Sequence, residues 1–143
     1  MRVLFDTDVV LDLLLDRQPH ALPAARLLSR AEVGEISGYI CATAITTINY
    51  LAAKVIGPRP ARAQIQRLLG FLDVAPVNRG VLEAALSAGF PDFEDAVVHE
   101  AGRQVNAQAL VTRNLQHFRR ASIPVYSPND LLGLLEARGK VEK

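Results

Sequence analysis

Apolar residues along this chain fall into two kinds of run. Some are short and continuous: Val3-Leu4-Phe5, Ile36 to Cys41, Val74 to Val77, Ala109 to Thr112 and Pro124-Val125-Tyr126. Unbroken runs of this length read as strands covered on both faces. Others recur at three- and four-residue spacing and predict helices. These begin at Val9, Val10, Leu13 and Leu14, then Leu22, Ala25, Leu27 and Leu28, then Ile45, Ile48, Leu51, Ala52 and Val55. They continue with Ile65, Leu68, Leu69 and Leu72, with Val81 to Ala88, with Ala96, Val97, Ala101 and Val105, and with Leu131, Leu132, Leu134 and Leu135.

Punctuation agrees with this division. Pro19 ends the first helix, Gly34 closes a second from His20 to Val33, and Gly89 ends the fifth. Gly57-Pro58-Arg59-Pro60 separates the third helix from a fourth over Ala61 to Leu72. Thr43 is the expected N-cap of the third helix, and Ser127 followed by Pro128 opens the last.

Five strands alternating with about seven helices predict crossovers on both faces of a mainly parallel sheet, that is, an α/β class three-layer α/β/α sandwich. Residues 1–138 form one domain in this reading, and 139–143 a frayed tail. The strand Val3 to Phe5 is expected at the centre, with Ala109 to Val111 beside it, which brings Asp6 and Asn114 together.

Composition narrows the classes. At 143 residues, half of them hydrophobic, the chain suffices for one well-packed domain and not for two. A net charge of +1 excludes no partner class. Thirteen of the sixteen basic residues are arginine, which suits bidentate phosphate contact and equally reflects a GC-rich coding bias. The one cysteine, Cys41, sits in an apolar run and reads as a core residue, so neither a disulfide frame nor a zinc cluster is expected. No run approaches the ~20 apolar residues of a membrane span. The acid at Asp6 comes too early for a signal peptide, so a soluble protein of the reducing cytoplasm is expected.

The candidate chemistry is acidic. A carboxylate directly after Phe5 is costly if buried alone, so Asp6 must face water, a cation or a partner at an open strand end. That is where ligands bind in open parallel sheets. Thr7 and Asp8 read instead as the capped start of the following helix. Asp92, Asp95 and His99 share one helix face at i, i+3, i+7, the two acids at its N-terminus, where capping accounts for one of them. His99 is set aside as a helix-surface residue. Acids converging on one rim, together with Thr112, Arg113 and Asn114 after a strand, repel one another unless a cation lies between them. Mg²⁺ or Mn²⁺ suits such oxygen donors and supplies phosphodiester hydrolysis. Arg59, Arg62 and Arg67 form the densest basic cluster.

Val3-Leu4-Phe5-Asp6-Thr7-Asp8-Val9-Val10-Leu11-Asp12, Phe90-Pro91-Asp92-Phe93-Glu94-Asp95-Ala96-Val97, Leu110-Val111-Thr112-Arg113-Asn114 and Ile123-Pro124-Val125-Tyr126-Ser127-Pro128 together resemble the PIN-domain nucleases, which include the VapC-type toxins. The resemblance implies a Mg²⁺- or Mn²⁺-dependent ribonuclease with Asp6 as first metal-site acid, Asp95 as third, and Thr112 and Asn114 at the fourth position. It also implies a homodimer and a small antitoxin partner that lays an apolar segment into a groove. Asp92 is expected to complete the set, with Asp8 and Glu94 as further candidates, and Arg113, Arg59 and Arg62 to contact RNA. The chain departs from the pattern on its third helix, where Thr47 and Asn49 stand in place of an acid, and at His117, a position often acidic in close relatives. That departure keeps open a PIN-fold module that binds RNA or protein without cutting. Asp6-Thr7-Asp8-Val9-Val10 also fits the opening of haloacid-dehalogenase-type phosphatases, which need a lysine at the phosphate. Only Lys54, Lys140 and Lys143 are available.

Overall fold

The computed structural model describes residues 1–142. Strand β1 (Arg2–Phe5) leads into helices α1 (Thr7–Leu14) and α2 (Ala21–Glu32), then β2 (Ser37–Cys41), α3 (Ala42–Ile56), α4 (Pro58–Leu69) and β3 (Asp73–Ala75). There follow α5 (Arg79–Ser87), α6 (Phe93–Gln104), β4 (Ala109–Val111), a 3₁₀ turn over Leu115–Phe118, β5 (Val125–Tyr126) and α7 (Pro128–Glu142). The five strands form one parallel sheet in the order β3-β2-β1-β4-β5. β1 is therefore central, with Phe5 level with Ile40 on one side and Val111 on the other. Val3, Leu4, Phe5, Ala109, Leu110 and Val111 are all buried, as continuous apolar strands covered on both faces must be.

This order locates the site. From β1 the chain steps outward to β2 and β3, then returns through α5 and α6 to the other flank of β1. Right-handed crossovers put helices built on opposite directions of travel on opposite faces. Accordingly α1, α2, α3, α4 and α7 pack with one another, while α5 packs on α6. The reversal lies between β1 and β4, and in open α/β sheets ligands bind at the carboxyl ends of the strands beside such a reversal. α1 starts at that rim because it follows β1, and α6 because it runs back before β4. Gly102 lets α6 lie close on the sheet: a Cβ there would stand 2.7 Å from Leu4 Cδ2.

Several boundaries differ from the sequence reading. Asp6, not Thr7 or Asp8, is the N-cap of α1, its side chain accepting from the Thr7 backbone N–H at 2.9 Å. Cys41 holds the N-cap position of α3, and Thr43 lies inside the first turn with its Oγ1 3.3 Å from Cys41 Sγ. α4 begins at Pro58 rather than Ala61, since the first turn needs no intrahelical donor and Pro fits there. Only Gly57, at φ 94°, separates it from α3. Leu22 and Leu69 are exposed, because α2 turns Ala21, Ala24, Leu27, Leu28 and Ala31 inward, and α4 turns Ala61 and Leu68. Ser127 opens α7, its Oγ accepting from the Asp130 N–H at 3.1 Å. The stretch set apart from Gly139 continues α7 to Glu142, and Lys143 lies outside the described residues. Cys41 is buried and free. Among the described residues no helix is long and apolar enough to cross a membrane.

Candidate functional site

The carboxyl ends of β1 and β4 bring a small network together. Asp6 is 7% exposed, yet both of its oxygens are held: the Thr7 N–H donates to Oδ1, and the buried Thr112 hydroxyl donates to Oδ2 at 2.8 Å. Asp8, one residue into α1, turns toward the β4 loop. Its Oδ2 accepts from the Arg113 backbone N–H at 3.0 Å and from Asn114 Nδ2 at 3.1 Å, while Oδ1 is buried without a partner. Asn114 thus meets Asp8 rather than Asp6. Asp95 stands in the first turn of α6, behind the N-cap Asp92, whose carboxylate accepts its backbone N–H at 3.0 Å.

The ionised forms of these carboxylates are disfavoured by their surroundings. Burial, then the neighbouring Asp8, push the Asp6 carboxyl up to about 7 against the hydrogen bond from Thr112, with Asp95 adding to the rise. Burial, then Asp92, push Asp95 up to about 6, with Glu94 and Asp8 adding and His117 opposing. His117 Nδ1 lies 3.5 Å from Asp95 Oδ2. Asp8 is also raised by burial, and the Arg113 N–H works the other way. Asp6, Asp8 and Asp95 therefore share one electrostatic environment although they come from α1 and α6.

Asp12 behaves differently. It is fully buried and accepts two hydrogen bonds from Arg113, Nε at 2.6 Å and Nη2 at 3.1 Å, and one from Arg17 Nε at 2.8 Å. The Arg113 guanidinium, expected to meet RNA phosphate, is committed to this pair. The sequence reading held Asp8 only as a further candidate behind Asp92, and it missed Asp12. The available signal was their i, i+4 spacing, which sets them on one face of α1.

Other expected residues sit at the margins. Asp92 is exposed and serves as a cap. Glu94 is exposed and accepts from Thr47 Oγ1 of α3 at 3.1 Å, so an acid from α6 reaches the helix that lacks its own. Asn49 Oδ1 is buried without a partner. Arg59 and Arg62 are exposed on α4, and Arg62 borders a cavity of about 300 Å³ shared with Thr46 and Asn49. His99 is a correction: at 3% exposure it is a core residue, its Nε2 accepting from the Ser122 N–H at 3.0 Å, and burial lowers its pKa. The basic side chains beside the acids are Arg113 and His117, where a phosphatase reading requires a lysine.

Among the described residues, no three carboxylate, imidazole or thiol groups form a ready-made set of metal ligands. The donor chemistry still fits a hard cation held loosely. Its donors are oxygen, Asp8 Oδ1 is unpartnered, and like charges raise the neighbouring acids. Mg²⁺ commonly takes one or two carboxylates and keeps several waters.

A family model described as PIN domain matches residues 2–116. No curated protein matches the sequence. Among solved structures, the chain is similar to VapBC2 from Rickettsia felis bound to a promoter DNA fragment, with TM-score 0.69, 13% identity, and coverage of 89% of this chain and 98% of that one. It is similar to a toxin-antitoxin complex from Klebsiella pneumoniae, with TM-score 0.67, 20% identity, and coverage of 88% and 97%. It is also similar to VapC20 of Mycobacterium tuberculosis, a sarcin-ricin loop cleaving toxin, with TM-score 0.62, 18% identity, and coverage of 76% and 86%. At these identities the likeness concerns the fold.

Proposed function

Because the chain belongs to the PIN-domain family, we propose that it is a divalent-metal-dependent ribonuclease acting at the β1–β4 rim, and the toxin of a toxin-antitoxin pair. The observation that carries the reading is the convergence of Asp6, Asp8 and Asp95 at the switch point, with Asp8 Oδ1 buried and unpartnered and the carboxyls raised by burial and by neighbouring acids. Like charges held together give the protein no stability of their own, and carboxyls raised by burial and by one another cluster at functional sites. Mg²⁺ or Mn²⁺ bound there polarises a phosphodiester and lowers the pKa of water. Asp6, Asp8 and Asp95 hold the ion, with Asp92 and Glu94 at the edge.

The remaining residues orient these acids. Thr112 fixes Asp6, and Asn114 fixes Asp8 as a neutral group that adds no charge to the rim. Arg59 and Arg62, exposed on α4, are the cations this reading gives to an RNA backbone. A groove of about 420 Å³ between α1, α2 and α4, lined by Leu13, Leu14, Leu28, Leu68 and Phe71, is the surface this reading gives to an antitoxin segment. Exposed Tyr50, Leu51 and Val55 on α3 are available to a second copy.

A second reading, a PIN fold that binds RNA without cutting it, is favoured by the absence of an acid on α3 and of a ready-made ligand set. Mn²⁺-dependent cleavage of single-stranded RNA separates the two. We expect cleavage that Asp6→Asn and Asp95→Asn abolish. RNA binding with no cleavage at millimolar Mn²⁺ would establish the second reading.

A further inference from the structure

We propose that the pocket where the start of α2, the loop after β4 and the start of α7 meet is a nucleobase subsite, which holds the base of a nucleotide next to the phosphodiester at the acid rim. The identity of the ligand rests on the ribonuclease reading; the pocket itself does not. Its volume is about 350 Å³, within the ~300–1,000 Å³ of small-molecule sites. Pro19, Pro23 and Pro128 give it rigid apolar walls, and His20, Arg113 and Asn129 supply the polar groups.

Arg113 decides the class of ligand. Its Nε and Nη2 both donate to buried Asp12, while its side chain remains 29% exposed. A guanidinium held by two hydrogen bonds to a buried carboxylate cannot swing out to follow a phosphate. It can present a flat, polarisable plane, and bases stack on such planes. Proline walls likewise suit a flat apolar ring better than a phosphate. The exposed Asn129 carboxamide offers one donor group and one acceptor, the pair that a base edge reads. Ser127, the remaining polar liner, is occupied as the cap of α7.

Position links the pocket to the chemistry. The backbone N–H of Arg113 holds Asp8, as does the side chain of Asn114, so Arg113 belongs both to the pocket lining and to the acid network. The base of a nucleotide whose phosphate lies at the acids is the group that this shared residue would meet.

The test is a ¹⁵N NMR titration of the metal-free protein with AMP, GMP, CMP and UMP, with ribose 5-phosphate as sugar-phosphate control. At least one nucleotide is expected to shift amides of residues 20–22, 113 and 129 while ribose 5-phosphate does not. His20→Ala and Asn129→Ala are each expected to weaken that binding by about tenfold, within the range for loss of one base contact. Equal shifts from ribose 5-phosphate, shifts elsewhere only, or none at millimolar ligand would overturn the subsite. Cleavage of a random-sequence RNA pool gives the second arm, in which both variants should flatten the preference at one position beside the cut. A wild type that cuts RNA while both variants keep its sequence profile defeats the subsite alone. Nucleotide binding in the pocket by a protein that cuts nothing defeats the ribonuclease reading alone.

Discussion

Asp6 and Asp12 are both buried aspartates at the start of the chain, six positions apart, and their surroundings are opposite. Asp12 lies among two guanidiniums and has both oxygens engaged by cations. Asp6 has only a hydroxyl and one backbone N–H, faces two further acids, and its carboxyl is pushed up to about 7. The difference distinguishes two uses of a buried carboxylate. A paired one ties elements together, here α1 to the β4 loop. An unpaired one beside others of its kind costs stability and marks a place for a ligand.

Removing the paired acid should have the largest effect. Asp12→Asn leaves Arg113 and Arg17 facing each other and frees the β4 loop, with an expected loss of roughly 3 to 4 kcal/mol of unfolding free energy, measured by urea denaturation. An equally stable Asp12→Asn would mean that the clamp is dispensable.

The unpaired group predicts a pH dependence of particular sign. Because the folded-state pKa of Asp6 is raised from 3.8 to about 7, the folded protein binds more protons than the unfolded chain between those values. Stability is then greatest near pH 4 and falls as pH rises toward 7, by on the order of 3 kcal/mol. Asp95, raised to about 6 and more open to water, adds a smaller fall over pH 4 to 6. Denaturation midpoints from pH 4 to 8 check this, and Asp6→Asn should flatten the curve. A stability that climbs over this range would break the comparison.

Metal should offset part of that loss. At ten times its dissociation constant, Mg²⁺ or Mn²⁺ at pH 7.5 is expected to add about 1.4 kcal/mol through preferential binding to the folded state. Calorimetry should show the gain in wild type and its absence in Asp95→Asn. The smallest effect separates cap from ligand at Asp92. Asp92→Ala should cost about 1 kcal/mol by removing the N-cap of α6, whereas Asp92→Asn, which caps as well, should change stability by a few tenths. If thermal melts give equal losses for both, its charge matters more than its hydrogen bond to Asp95.

Much of this was legible in the chain. The continuous run Val3-Leu4-Phe5 could only be a strand covered on both faces, and Asp6 after it could only be an end. The acid pair Asp92 and Asp95 before an apolar period of 3.6 placed the start of α6. What escaped was the partner of each polar group. Asp8 looked like a cap because capping is a local interaction, yet its partners are Arg113 and Asn114, over a hundred positions away. His99 looked like a surface residue because its period is shared with Asp92 and Asp95, but α6 buries it against Phe90, ring centroids 5.1 Å apart.

The sequence by itself determined the elements, the class of sheet and the residues able to carry charge at its carboxyl rim, since these follow from hydrophobic period, proline and glycine punctuation, and chain chemistry. Tertiary structure decided which acids are paired and which repel. That depends on distances between side chains far apart in the sequence, and electrostatic energy inside a protein varies with those distances and with burial rather than with order along the chain. So it was the packing of α1 against the β4 loop that gave the Arg113 guanidinium to Asp12 and, among the described residues, left Asp6, Asp8 and Asp95 without an ion pair to arginine or lysine.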